Sequence, residues 1–213
     1  MRRRQALSAL FAFALGCQRP EVGSGHLGTS ERAVAPFYEL QLQGEFSVTI
    51  ELGAPRHAVT VEADDNLLAN TSTDSNGRRL SVSFGPAARP TVRPHVRIAA
   101  PDLVLVRCEG NSTVELRSVH NARLQLDLKD AGEVTAAGST QKLKVFIDGR
   151  GRAHLEALSV DEALVHVNGS GAADIAAPKH LEVELHGSAR VTHAGTPVIE
   201  SVIRDAGGLL RRP

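Results

Sequence analysis

The feature that most constrains this chain is a short pattern in its second half, which returns every 18–20 residues, six times. Set Gly110, Asp130, Gly149, Gly169, Gly187 and Ala206 as position zero. Two residues before it stand Cys108, Leu128, Ile147, Val167, Leu185 and Arg204, and four before stand Val106, Leu126, Val145, Val165, Val183 and Val202. Six before stand Val104, Leu124, Leu143, Ala163, Leu181 and Glu200, and four after stand Val114, Val134, Ala153, Ala173, Val191 and Leu210. Apolar residues in fixed columns at a fixed period define a solenoid. One repeat cannot bury its own apolar face, so each winding must lie on the next.

The columns also predict how a winding is built. Positions −6, −4 and −2 are apolar at every second residue and face one side of a strand, while −3 and −1 are polar or mixed and face water. Position zero and the two residues after it are rich in Gly, Ser, Asn and Asp, as a tight corner with positive φ requires. Lys129-Asp130-Ala131-Gly132 departs from that pattern, so an irregular corner is expected there. The chain is therefore predicted to be all-β: a right-handed, parallel β-helix-like solenoid with coils of roughly 19 residues, the hand following from the crossover rule. An antiparallel sandwich or barrel is the competing reading, because two strands per repeat give the same strand count. A meander, however, reverses at every turn and would not hold one column register over six repeats.

Residues 36–100 are less repetitive. Phe37, Leu40, Leu42, Phe46, Val48, Ile50, Val59 and Val61 alternate with polar residues around a turn at Gly53-Ala54-Pro55, a strand–turn–strand pattern. Asp64 to Leu68 reads as a loop or a single helical turn, and Asn76-Gly77 is a strong hairpin signal. This region is expected to pair onto the first coil and cap its edge, since uncapped solenoid ends invite aggregation. At the other end, Arg204 in an apolar column and Arg211-Arg212 point to a fraying or capping last coil.

The N-terminus reads as an address. Arg2, Arg3 and Arg4 precede a short apolar run, Ala6 to Leu15, that ends in Ala14-Leu15-Gly16-Cys17. The run is too short to span a bilayer, and small residues before a cysteine resemble a bacterial lipobox. Residues 1–17 are thus predicted to be a lipoprotein signal, with Cys17 carrying the lipid. An ordinary cleaved signal is the alternative. Residues 18–35, rich in Gly, Ser and Thr, are expected to form a flexible tether. Residues 36–213 are then one solenoid domain, with the repeats over 101–210.

Composition excludes several functions. Net charge is zero with no basic stripe, so nucleic acid is not a partner. The six Phe and one Tyr, with no Trp, supply few stacking platforms. With Cys17 lipidated, Cys108 is the one remaining cysteine, and a disulfide framework is impossible. Nucleophile-elbow, metalloprotease and phosphate-loop motifs are missing, and no catalytic residue or cofactor is predicted. The acids Asp127, Asp148 and Glu184, with Arg107, are expected on one outward face, where a carbohydrate-acting enzyme would place its acid and base. The repeat lacks the side loops that would build a cleft, and charges on a solvated face are the plainer reading. Nine histidines are present, but none is spaced H-x-H or H-x-x-x-H. They are read as solvated side chains rather than metal ligands, with His193 at the edge of the core. Arg107, Asp127, Phe146, His166 and Glu184 all fall at position −3 and are expected to form an outward stripe, a candidate binding surface.

The strand followed by a Gly-Ser-Gly corner, clearest in Asn168-Gly169-Ser170-Gly171 and degenerate in Asp148-Gly149-Arg150-Gly151, Glu109-Gly110-Asn111-Ser112 and His186-Gly187-Ser188-Ala189, resembles the GIN domain family. Phe37 to Ile50, Asp65-Asn66-Leu67-Leu68, Gly77-Arg78-Arg79-Leu80 and Gly195-Thr196-Pro197 extend the likeness over nearly the whole chain after residue 36. That family is described as an auto-transporter adhesin head. The resemblance implies a right-handed β-helix-like fold, often exported or lipid-anchored in bacteria, and carries over no catalytic residue. The expected function is that of a non-enzymatic outer-membrane lipoprotein with an adhesin-like head. Its partners would be the membrane, through Cys17, and an envelope protein or surface glycan. A carbohydrate-acting enzyme or a structural or signalling accessory on the same scaffold is the alternative.

Overall fold

A computed structural model describes residues 20–85, 88–205 and 207–212. The signal predicted over 1–17, with the Cys17 expected to carry a lipid, lies outside the described residues. The repeat region winds into a β-solenoid of about five turns, with parallel strands about 20 residues apart. Val106, Leu126, Val145, Val165, Val183 and Val202 are successive register partners, so the −4 column is a physical ladder. The opposite leg of each winding stacks likewise: Val114 on Val134, Ala153, Ala173, Val191 and Leu210. All these pairings are parallel, which removes the antiparallel sandwich. We call the leg that holds −6 to −2 the long wall and the leg that holds +4 and +6 the short wall.

The core lies between the walls. Leu126, Val145, Val165, Val183, Val134 and Ala153 are all buried, as the columns require. Position +2 adds a column of small inward residues, Ser112, Gly132, Gly151, Gly171 and Ala189, where the chain turns too tightly for more. A Cβ on Gly171 would stand 2.6 Å from Ile147 Cγ2. The described position-zero corners have positive φ: Gly110 at 111°, Gly149 at 120°, Gly169 at 114° and Gly187 at 76°. The corner expected to be irregular is regular in shape. Asp130 takes φ 68° and keeps the corner's hydrogen bonds, with Ala131 N–H donating to the Gly110 carbonyl. A second bend, unforeseen in the sequence, lies at Ser118 and Gly138, both at positive φ, where the pairing slips between Leu116 and Val119.

The opening region does more than cap. Glu39–Gln43 pairs in parallel with Leu105–Gly110, and Ser47–Leu52 with the first leg of Thr113–Asp130. Arg79–Phe84 and His95–Ala100 in turn pair in parallel on those two strands. The stack therefore gains windings out of chain order, with 39–52 inserted between 79–100 and 105–117. The cap proper is antiparallel: Thr71–Ser75 on Arg79–Phe84 through the Asn76-Gly77 turn, and Ala58–Asp64 on His95–Ala100. Ser47–Leu52 and Ala58–Asp64, adjacent in sequence, do not pair with each other but flank His95–Ala100. Asp65–Asn70 forms a 3-10 turn, the short helical option of the sequence reading.

The tether expected over 18–35 needs correction for its described part. Leu27–Arg32 is a strand paired antiparallel with Ala58–Asp64. Its polar side chains bury little, but an edge strand is held by main-chain hydrogen bonds, which composition does not register. Asp64 fastens what precedes it. Its fully buried carboxylate accepts the N–H groups of Gly25, Thr91 and Val92. Burial pushes this carboxyl up, but the bonds from Gly25, Val92 and Thr91 prevail and hold it below its ordinary value. At the far end Val198–Arg204 pairs with His180–Gly187 but is itself little buried: Val198, Ile199, Val202 and Ile203 are exposed. The sixth copy is thus an open edge rather than a buried coil.

Candidate functional site

Position −3 of each winding points out from the long wall. In-register stacking sets Arg107 over Asp127, Asp127 over Phe146, Phe146 over His166 and His166 over Glu184. Strands in such a ladder are about 4.8 Å apart, so each side chain lies against the next, and all five are half-buried. The Arg107 guanidinium meets Asp127 Oδ2 at 2.9 Å through Nη2, and Gln125 Nε2 donates to Asp127 Oδ1 at 2.7 Å. The Phe146 ring lies 6.2 Å from that of His166. His166 Nδ1 is 3.0 Å from Glu184 Oε2. The stripe is a row of cation, anion, aromatic ring, imidazole and anion on a rigid backbone.

The neighbouring outward column, at −1, runs Lys129, Asp148, Asn168 and His186. Asn168 Nδ2 donates to Asp148 Oδ1 at 3.1 Å. A shallow groove between the two columns is lined by Arg107, Asp127, Lys129, Phe146, Asp148 and His166. Asp127 and Asp148 share this groove, but Asp127 is held in its ion pair with Arg107. The hydrogen bond from His186, aided by the His166 charge against some burial, holds the Glu184 carboxyl below its ordinary value. A general acid needs the opposite shift.

The spacing of His166 and His186 allows their approach without requiring it, and the structure brings them together. His166 and His186 occupy different columns, yet their rings are 5.8 Å apart, and His186 Nε2 is 2.9 Å from Glu184 Oε1. The signal in the sequence is a separation of one winding plus two residues, which places two outward side chains on a diagonal. Motifs drawn from helices and loops do not include it. His193 is buried at the end of the short wall, with Nδ1 3.3 Å from the Ala194 carbonyl, as its column predicted.

A parallel ladder of this length, with glycine corners in register, has a counterpart among known families. The family model described as "Putative auto-transporter adhesin, head GIN domain" matches residues 36–197. The chain belongs to the GIN domain family. Among solved structures, this GIN domain is similar to a putative adhesin from Bacteroides fragilis, at 15% identity, a TM-score of 0.73, and coverage of 90% of this chain and 99% of that one. It is also similar to a putative adhesin from Parabacteroides distasonis, at 19% identity and a TM-score of 0.54, covering 91% and 99% of the two chains. A protein from the same organism named a putative lipid binding protein matches at 16% identity and a TM-score of 0.53, covering 89% and 98%. At these identities the likeness is one of fold. No match is found among curated proteins. The GIN description, an adhesin head, suggests an exported protein of the cell surface or envelope.

Proposed function

We propose that this GIN domain is the non-enzymatic binding head of an outer-membrane lipoprotein, anchored through Cys17, and that the Arg107–Asp127–Phe146–His166–Glu184 stripe contacts an envelope protein or a surface glycan. The observation that carries this reading is the stripe itself: five chemically varied side chains held in one straight, in-register row. Rigid backbone spacing lowers the ordering cost of binding an extended partner. A flat row suits contact, whereas catalysis favours a water-excluding cleft. The family description supports the same reading.

The experiment is retention of the purified protein on envelope fractions and surface glycans. Phe146→Ala is expected to abolish retention with the melting temperature unchanged. Retention by this variant at wild-type level would sink the stripe. Glycan cleavage that disappears in Asp127→Asn would replace the binding head with the enzyme. Labelled-lipid incorporation that depends on Cys17, with Cys17→Ala as control, tests the anchor separately.

A further inference from the structure

We propose that His166, Glu184 and His186 form a surface site for a divalent transition-metal cation. This goes beyond the binding-head reading. The two share His166 and Glu184, but an ion can bind a chain whose stripe contacts nothing.

The geometry comes from the solenoid. Glu184 lies directly under His166 on the next winding, and His186 lies two residues further along, on the same outward face. Strands about 4.8 Å apart, with same-face residues about 7 Å apart along each, make this a compact triangle. One nitrogen of each imidazole and a carboxylate oxygen all lie within 4.8 Å of one another. Each Glu184 oxygen already faces one imidazole nitrogen, His166 Nδ1 at 3.0 Å and His186 Nε2 at 2.9 Å. Donors at ~2.0–2.2 Å from a zinc ion stand roughly 3.4 Å apart, so rotamer adjustment without backbone movement brings the three to a common centre. Two imidazoles and one carboxylate are a ligand set suited to such ions, and they leave a position open to water.

A second observation supports the site. A metal-bound histidine is oriented by a partner on its other nitrogen. His186 Nδ1, the nitrogen turned away from Glu184, lies 3.9 Å from Asp205 Oδ2 on the following winding. Asp205 is itself fixed, because Oδ2 accepts the Gly187 N–H at 2.8 Å. On the other side, Phe146 flanks the His166 ring. By contrast, His180 pairs with Glu200 and, among the described residues, belongs to no such ligand cluster.

The test is titration of the purified full-length protein with Zn²⁺ alone, read by calorimetry and by melting temperature. One zinc per chain at micromolar concentration is expected, with a rise in melting temperature because the ion ties two windings together. His166→Gln and His186→Gln should each abolish both effects while folding normally without metal. Asp205→Asn should weaken binding roughly tenfold, and His180→Gln should change nothing. No zinc uptake by the wild-type protein, or uptake that survives both His166→Gln and His186→Gln, would overturn the site. Wild-type protein that takes up zinc but is not retained on envelope fractions or glycans would count against the stripe and leave the metal site standing.

Discussion

The carbonyl oxygen of Asp130 lies 2.6 Å from the point where a Cβ on Gly149 would stand. The two residues are register partners at the corner of consecutive windings. The same close approach repeats along the column, with Gly110 against the Gly44 carbonyl at 2.6 Å and Gly169 against that of Gly149 at 2.5 Å. Among the described residues of this column Asp130 alone carries a side chain, and it sits at φ 68°. Gly149→Ala is therefore expected to cost about 2–4 kcal/mol, combining a left-handed backbone with overpacking. Asp130→Gly should stabilise by up to about 1 kcal/mol, part of the relieved strain being offset by a freer unfolded chain. Urea denaturation of both variants measures this, and a Gly149→Ala variant as stable as wild type would refute the packed corner.

The −4 ladder gives a second test. Val145 and Val165 are buried between windings on both sides. Val145→Asp or Val165→Asp places a charge with no partner in the stack and should unfold the domain. Ile147→Val, which shortens one neighbouring side chain by a methylene, should cost about 0.5–1.5 kcal/mol and leave the fold intact. Cooperative melting retained by both aspartate variants would contradict the inward assignment.

Glu39 predicts how stability follows pH. Its buried carboxylate receives Arg78 Nε at 2.9 Å and Arg79 Nη2 at 3.1 Å, tying the capping hairpin to the strand beneath. Burial pushes this carboxyl up, but the hydrogen bonds and charges of Arg78 and Arg79 prevail and hold it below its ordinary 4.5. A folded-state value below the unfolded one means the contribution is fully present above about 4.5 and disappears as pH falls through the depressed value. Glu39→Gln should lose about 1 kcal/mol at neutral pH, a small figure because Arg78 is largely exposed. The variant should also show a shallower acid limb. Urea midpoints between neutral pH and pH ~3 measure both, and identical limbs would refute the role of the pair.

Cys108 gives a fourth. It is buried in the −2 column, where desolvation, reinforced by the Asp127 charge, pushes its thiol up to about 12. The thiolate is the reactive form, so the native protein should resist alkylation at Cys108 at neutral pH. Labelling should follow global unfolding as urea is added, and rapid labelling of the folded protein would show that this part of the ladder opens locally.

The repeat region was legible because a parallel stack puts the same demand on the same position of every winding. Val106 through Val183 share one environment and so one chemistry, and the glycines at 110, 149, 169 and 187 share one corner. Where a winding has no copy, the signal failed. Glu39–Gln43 and Arg79–Phe84 alternate like any strands, and nothing local tells that the later one lies outside the earlier in the stack. Leu27–Arg32 was misread because hydrogen bonding along an edge leaves no apolar mark. The stripe was visible as a single column, whereas the His166–His186 diagonal crosses columns, and spacing alone allows that approach without requiring it.

The sequence by itself determined that this chain must wind in parallel, which residues of the repeats before the last face inward, where the glycine corners fall, and which side chains stand in the outward row. Those follow from local alternation and the need to bury apolar faces, both written in the spacing. Only the tertiary structure decided the order of the first windings, the antiparallel cap, the grip of Asp64 on Gly25, Thr91 and Val92, and the meeting of His166, Glu184 and His186. Each depends on the offset between segments distant in the chain, and that offset is set by the whole stack closing its hydrogen bonds together.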